Sequence, residues 1–169
     1  MRRVLVVGSS GAGKTTAARR VADRLGLPFH EMDVLALGPG WSQSPDLVDQ
    51  VKRITAEPTW IFDSWGHPAV RDRMWESADT ILWLDYPPQL VMRRLIWRSA
   101  IRTATRAELF GGNRETVREW LRPVHPVWSA AATFAERRRY LFDRTTRSAH
   151  CRTVRFTSPR EFERWLEQL

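Results

Sequence analysis

Short, continuous apolar runs alternate along this chain with longer stretches in which apolar residues recur every three or four positions. Val4-Leu5-Val6-Val7, Trp60-Ile61-Phe62 and Thr80-Ile81-Leu82-Trp83-Leu84 belong to the first kind. Such unbroken runs are expected of strands whose sheet is covered on both faces. Phe29-His30-Glu31 and Arg152 to Phe156 read as two further short strands. Between them, Ala17, Ala18, Val21, Ala22 and Leu25 have helical spacing, and Gly26 and Pro28 then stop the pattern. Ser44-Pro45 predicts an N-cap with proline in the first turn of a helix to about Ala56. Residues 68–77 and Pro88 to about Arg106 also read as helices, and Gly111-Gly112 breaks the second. Asn113 predicts a cap for a helix interrupted at Pro123, and another helix is expected from about Pro126 to Thr146. Ser158-Pro159-Arg160-Glu161 is a capping box, and the helix it opens places Phe162, Trp165, Leu166 and Leu169 on one face, predicted to be core. The pattern predicts one α/β domain over residues 1–169, a five-stranded parallel sheet with helices on both faces.

The first strand runs directly into Gly8-Ser9-Ser10-Gly11-Ala12-Gly13-Lys14-Thr15, with Thr16 next, and the first helix follows. This is a complete G-x-x-x-x-G-K-T phosphate-binding loop in the strand–loop–helix setting that gives the string its meaning. Glycines let successive N–H groups turn inward toward phosphate oxygens, and the helix N-terminus adds a favourable dipole. Lys14 is expected to reach the outer phosphates, and the Thr15 hydroxyl to ligate the accompanying magnesium. The expectation is a P-loop NTPase fold that binds a nucleoside triphosphate.

Composition narrows the setting. The 169 residues are 43% apolar and include nine tryptophans, enough for a buried core. Cys151 is the only cysteine, so an intrachain disulfide or cysteine-rich zinc site is ruled out. The early first strand leaves no room for a signal peptide, and no apolar run reaches membrane-spanning length, so a cytoplasmic protein without a membrane partner is expected. The net charge of +8 is uneven: residues 1–85 hold 10 basic against 11 acidic residues, and residues 86–169 hold 17 against 8. Of the 27 basic residues 25 are arginine, which suits phosphate oxygens and equally reflects a compositional preference over lysine. A nucleic-acid partner is compatible with this charge but not favoured, because no helix-turn-helix, zinc-finger or aromatic RNA-binding motif is present.

Asp63 and Asp85 both end apolar strands, at the sheet edge where open α/β sheets bind ligands. Either could serve magnesium. Asp63 is the stronger candidate, because Asp85 precedes Tyr86-Pro87-Pro88 and is placed to cap the next helix. Asp33, just after the second strand, could orient or deprotonate an attacking hydroxyl, or be a plain loop residue. His30 reads as a partly buried strand residue rather than a base. Arg94, Arg98, Arg102 and Arg106 recur every fourth position, a helical stripe drifting by roughly 40° per step. It runs beside a face of Leu90, Trp97, Ile101 and Ala104, with no carboxylate between Asp85 and Glu108. Such guanidinium groups suit charge on a transferring phosphoryl group, or form a solvated basic face. The segment of about residues 98–125, hinged at Gly111-Gly112, is expected to be a helical lid.

Taken together, the loop, Trp60-Ile61-Phe62-Asp63, and Asp85-Tyr86-Pro87 followed by Arg94 and Arg98 resemble adenylate-kinase-like nucleoside and nucleotide kinases. His30-Glu31-Met32-Asp33, Pro39-Gly40-Trp41 and Gly112-Asn113-Arg114-Glu115 are similar to the small bacterial topology-modulation, or adenylate-kinase-related ATP-binding, proteins. The resemblance implies Lys14 and Thr15 at the triphosphate, Asp63 near Mg2+, Arg94 and Arg98 on the nucleotide, and an acceptor pocket around Asp33 and Trp41. Two departures stand out: Ser64-Trp65 where that family has glycine after the aspartate, and no Thr-Gly acceptor motif between Asp33 and Pro58. AMP is therefore not the expected acceptor. The function expected is a small ATP-dependent phosphotransferase, moving the γ-phosphoryl group of Mg-ATP to a small hydroxyl or phosphate acceptor. A nucleotide-switched nucleic-acid regulator and a plain NTP hydrolase are the alternatives.

Overall fold

The computed structural model describes residues 1–105, 108 and 126–169. Five strands, β1 (Arg3–Gly8), β2 (Phe29–His30), β3 (Trp60–Phe62), β4 (Thr80–Leu84) and β5 (Arg152–Phe156), pair in the order β2-β3-β1-β4-β5, every pair parallel. The described helices are α1 (Lys14–Leu25), α2 (Met32–Ala36), α3 (Leu47–Ala56), α4 (Arg71–Ser77), α5 (Pro88–Thr105), α6 (Pro126–Arg147) and α7 (Pro159–Glu167).

Alternate residues of the central strand feed two separate cores. Val4 and Val6 join Ile61, Leu82 and Leu84 beneath Ala18 and Val21 of α1 and Phe162 and Leu166 of α7. Leu5 and Val7 join Trp60, Phe62, Ile81 and Trp83 beneath Val51 of α3, Met74 and Trp75 of α4, and Leu141 of α6. This two-sided burial is why β1, β3 and β4 are unbroken apolar runs. β5 is an edge strand and keeps Arg152, Thr153 and Arg155 exposed. Strand order reverses around β1, since the chain leaves it toward β3 and β2 on one side and β4 and β5 on the other. The loop after β1 therefore lies in the crevice that such a reversal opens.

Four expectations need correction. Residues 32–36 form the short helix α2, because Met32 and Ala36, one turn apart, both bury against the second core. The next helix starts at Leu47 with Asp46 as its N-cap, not at Ser44-Pro45, whose Ser44 N–H donates instead to the Ala36 carbonyl at 2.9 Å. In α5 the buried face is Val91, Leu95 and Ser99, while Trp97 and Ile101 are exposed; packing against Val127 and Ala130 of α6 decides which face turns inward. In α7 Phe162 and Leu166 are buried and Trp165 packs beside them, but Leu169 is exposed beyond the helix end. The N-cap expectation holds for that helix: Ser158 Oγ accepts from the Glu161 N–H at 3.3 Å. The supposed Asn113 cap, Arg106, the Gly111-Gly112 hinge and most of the 98–125 segment fall outside the described residues. Among the described residues no helix is long and apolar enough to cross a membrane.

Candidate active site

β1 delivers the phosphate loop to the crevice, and backbone geometry explains its glycines. Gly11 has φ of +88°, and a Cβ there would stand 2.7 Å from the Val91 carbonyl oxygen and 3.0 Å from Leu95 Cβ. Gly11→Ala therefore meets both a disfavoured backbone region and the rigid wall of α5. We expect it to lower stability by about 2 kcal/mol and to weaken triphosphate binding at least tenfold. Thermal unfolding and calorimetry measure the two effects, and an unperturbed variant in both would mean the loop tolerates a side chain. Gly13, in the left-handed region, is the N-cap of α1, and no side chain caps the helix or places a carboxylate in its first turn. The first N–H groups of α1 are thus left to an anion.

A cleft of about 610 Å³ opens above this loop, lined by Ser10 through Thr16 on one side. Asp33, Asp63, Ser64 and Trp65 line it as well, and Arg94, Arg98 and Arg102 of α5 also reach it. Gly8 and the buried Ser9 lie deeper, and the Ser9 carbonyl accepts from Lys14 Nζ at 3.2 Å. Burial pushes the Lys14 ammonium down to about 8; Asp63 and Asp33 oppose the shift, and Arg98 and Arg137 add to it. Lys14 is a partly exposed residue whose charged end alone is enclosed.

Asp63 is buried at the end of β3. Its Oδ2 accepts from Thr15 Oγ1 at 2.5 Å, and its Oδ1 accepts from the Met32 N–H at 2.9 Å. One carboxylate thus ties the phosphate loop to the start of α2. This pair of hard oxygens suits magnesium, which binds through one or two carboxylates or hydroxyls and completes its shell with phosphates and water. No cluster of three or more His, Cys, Asp or Glu able to hold a metal occurs among the described residues. Asp33, at the start of α2, lines the same cleft; burial, reinforced by Asp63, holds its carboxyl above the usual range against the pull of Lys14, Arg98 and Arg102.

The other candidates separate clearly. Arg94 stands with Nη1 3.8 Å from where a Gly13 Cβ would be, and its guanidinium lies 5.8 Å from the Tyr86 ring centroid. His30 packs on Phe62 with ring centroids 5.4 Å apart, and burial lowers its basicity. Trp41 is 40% exposed in a short turn at Pro39–Trp41 and does not line the cleft, so the acceptor pocket implied around Asp33 and Trp41 is lined by the first alone. Asp85 is also absent from the cleft wall. Both its oxygens are engaged, Oδ1 with Arg138 Nε at 2.8 Å, and Oδ2 with Arg138 Nη2 at 3.0 Å and with Arg155. Its carboxylate is thus engaged away from the phosphate loop.

Two contributors escaped the sequence. Trp65, whose carbonyl accepts from the indole of buried Trp75 at 2.9 Å, has Arg71 stacked 4.1 Å from its ring centroid. Arg137 of α6 reaches Ser10 Oγ at 3.4 Å. It sits in a run of exposed charge, Glu136-Arg137-Arg138-Arg139, and only the path of α6 across the crevice distinguishes it from its neighbours.

Known proteins resemble this chain in part of its sequence and in its fold. The family model described as ATPase family associated with various cellular activities (AAA) matches residues 4–62. The shikimate kinase of Pseudomonas fluorescens is 38% identical over 73 residues, 43% of this chain and 34% of the relative. That of Rhodopseudomonas palustris is 28% identical over 111 residues, 56% of this chain and 54% of the relative. The chain thus spans about a third to a half of the length of the curated relatives it matches. Among solved structures, shikimate kinase from Acinetobacter baumannii in complex with shikimate superposes with a TM-score of 0.59 at 16% identity, covering 99% of this chain and 90% of that one. A gluconokinase from Sinorhizobium meliloti gives a TM-score of 0.51 at 16% identity, covering 99% and 92%. The chain has the P-loop NTPase fold, in the arrangement found in shikimate kinases and a gluconokinase.

Proposed function

We propose that this chain is a small-molecule kinase that transfers the γ-phosphoryl group of ATP to a hydroxyl or phosphate acceptor. One observation carries the reading: a phosphate loop with its lysine shares a single cleft with two carboxylates, Asp63 bonded to the loop at Thr15 and Asp33 beyond it. A simple nucleotide switch has no need of the second carboxylate.

Donor phosphates are held by the N–H groups of residues 10–16, by Lys14, and by Arg94 and Arg98 from α5. Thr15 and Asp63 would hold the magnesium, which neutralises phosphate charge and orients the β- and γ-oxygens. The acceptor lies against Asp33, Ser64 and Trp65. Its oxygen attacks the γ-phosphorus in line, the bond to the β-phosphate oxygen breaks, and the hydroxyl proton passes to Asp33. Burial favours that last step, because a carboxylate above its ordinary range is a better base near neutral pH. Most of the acceleration comes from alignment and charge neutralisation, since phosphoryl transfer asks little covalent help of the protein.

The names of the relatives, shikimate kinase and gluconokinase, put small hydroxylated acids first among acceptors, ahead of nucleotides. The test is an acceptor screen with Mg-ATP that includes hydroxy acids, sugars, nucleosides and nucleoside monophosphates. We expect one class to raise ADP formation at least tenfold over the acceptor-free rate. Phosphate release that no acceptor stimulates would make the protein a hydrolase. ATP binding with no turnover, together with salt-sensitive binding to DNA or RNA, would make it a nucleic-acid regulator.

A further inference from the structure

Asp85 lies outside the cleft, yet its carboxylate is held by two arginines from two different elements. Only 3% of its side chain is exposed, at the end of β4. It joins three elements: β4 itself, α6 through the two-bonded Arg138, and β5 through Arg155. The next residue along α6 is Arg137, which approaches the phosphate loop at Ser10. Among the described residues Arg137 forms no ion pair with a carboxylate, and its guanidinium is half-buried beside Trp65, 5.8 Å from the ring centroid. Burial and the nearby Arg71 hold it below the usual guanidinium range. Lys14 feels both Arg98 and Arg137, so three cations converge on one small volume at the loop. Such convergence is unfavourable until a polyanion enters.

We infer that Asp85 is a positioning residue: its two-bonded grip on Arg138 sets the rotation of α6, so that Arg137 presents its guanidinium to the outer phosphates of the donor at Ser10. Two adjacent side chains on one helix point about 100° apart, so fixing one direction fixes the other. Arg137 is then a donor-binding catalytic residue, supplied by α6 rather than α5. This inference rests on the phosphotransferase reading for its kinetic consequences but not for its binding ones.

A double-mutant cycle tests it. In the full chain, Arg137→Ala should lower kcat about 10²-fold, the loss typical of one removed charge-stabilising donor. Asp85→Asn and Arg138→Ala should each lower kcat by about 10-fold to 10²-fold, as misplacement of such a group by about 1 Å does, with the acceptor KM unchanged. In the Arg137→Ala background, either second change should cost less than about twofold, because nothing is left to misplace. Multiplying losses, or an Arg137→Ala enzyme at the wild-type rate, would overturn the inference. Arg138 is half-exposed, so Arg138→Ala serves if Asp85→Asn does not fold. Calorimetric binding of metal-free ATP supplies a readout independent of turnover. It should show the same non-additivity, with about tenfold weaker affinity in Arg137→Ala, and equal affinities in all variants would also overturn the inference. Unchanged ATP affinity in Lys14→Met would instead discredit the donor site as a whole, which keeps the two failures apart.

Discussion

Lys14→Met should abolish turnover while making the unliganded chain more stable, by up to about 3 kcal/mol at pH 7. The stability gain follows from the depressed ammonium. Burial pushes the Lys14 ammonium down to about 8, from an ordinary value of 10.5 in the unfolded chain. Below pH 8 both states carry the proton, and the folded state bears the full cost of an enclosed charge. Between pH 8 and 10.5 the unfolded state binds more protons, so stability rises with pH until that cost is gone. Methionine fills similar space without the charge, so the advantage of the variant should be largest at neutral pH and vanish near pH 10.5. Turnover should fall about 10³-fold, since no other group supplies a cation from the loop itself. Denaturant unfolding between pH 6 and 10.5, beside an assay of ADP formation, checks both halves. A variant less stable than wild type at pH 7 would show that Lys14 stabilises the empty site, contrary to its burial.

The second large effect is expected at Asp63. Asparagine can still accept from the Met32 N–H and meet the Thr15 hydroxyl, so Asp63→Asn should keep the fold and lose only the charge. Turnover should fall about 10²-fold, and the magnesium concentration giving half-maximal rate should rise at least tenfold. Because Asp63 is the leading charge that sustains the Lys14 proton, the same change should move the lysine lower still. Asp63→Ala should additionally leave the Met32 N–H without its acceptor, at a cost of about 2 kcal/mol. A magnesium titration and thermal unfolding of both variants measure this. An Asn variant with an unaltered magnesium requirement would place the cation elsewhere.

The place of those two residues at the cleft was legible in advance because each is fixed by something local. Lys14 has a set place in an eight-residue string, and Asp63 ends a strand whose three apolar residues are all buried. The five strands and the limits of α1, α5 and α6 were readable for the same reason: continuous burial and helical periodicity leave a mark on neighbouring residues. The short helix α2 left too little periodicity to see, with only two buried positions in five residues. The inward face of α5 was not legible because Trp97 and Ile101 are as apolar as Val91 and Leu95. Hydrophobicity alone could not say that Leu95 faces Val127 and Ala130 while Val91 joins the core beneath α1.

The chain alone determined a parallel α/β architecture and a phosphate loop, since hydrophobic period and backbone freedom at glycine act over a few residues. Tertiary structure gave two strand-ending aspartates of the same type different partners. It spent Asp85 on Arg138 and Arg155 and left Asp63 beside Thr15. It also selected Arg137 from a run of similar charges by carrying α6 to Ser10. Both choices join residues 48 to 127 positions apart. What a carboxylate or guanidinium does is set by the charge it meets, and at such separations only the folded chain brings the two together.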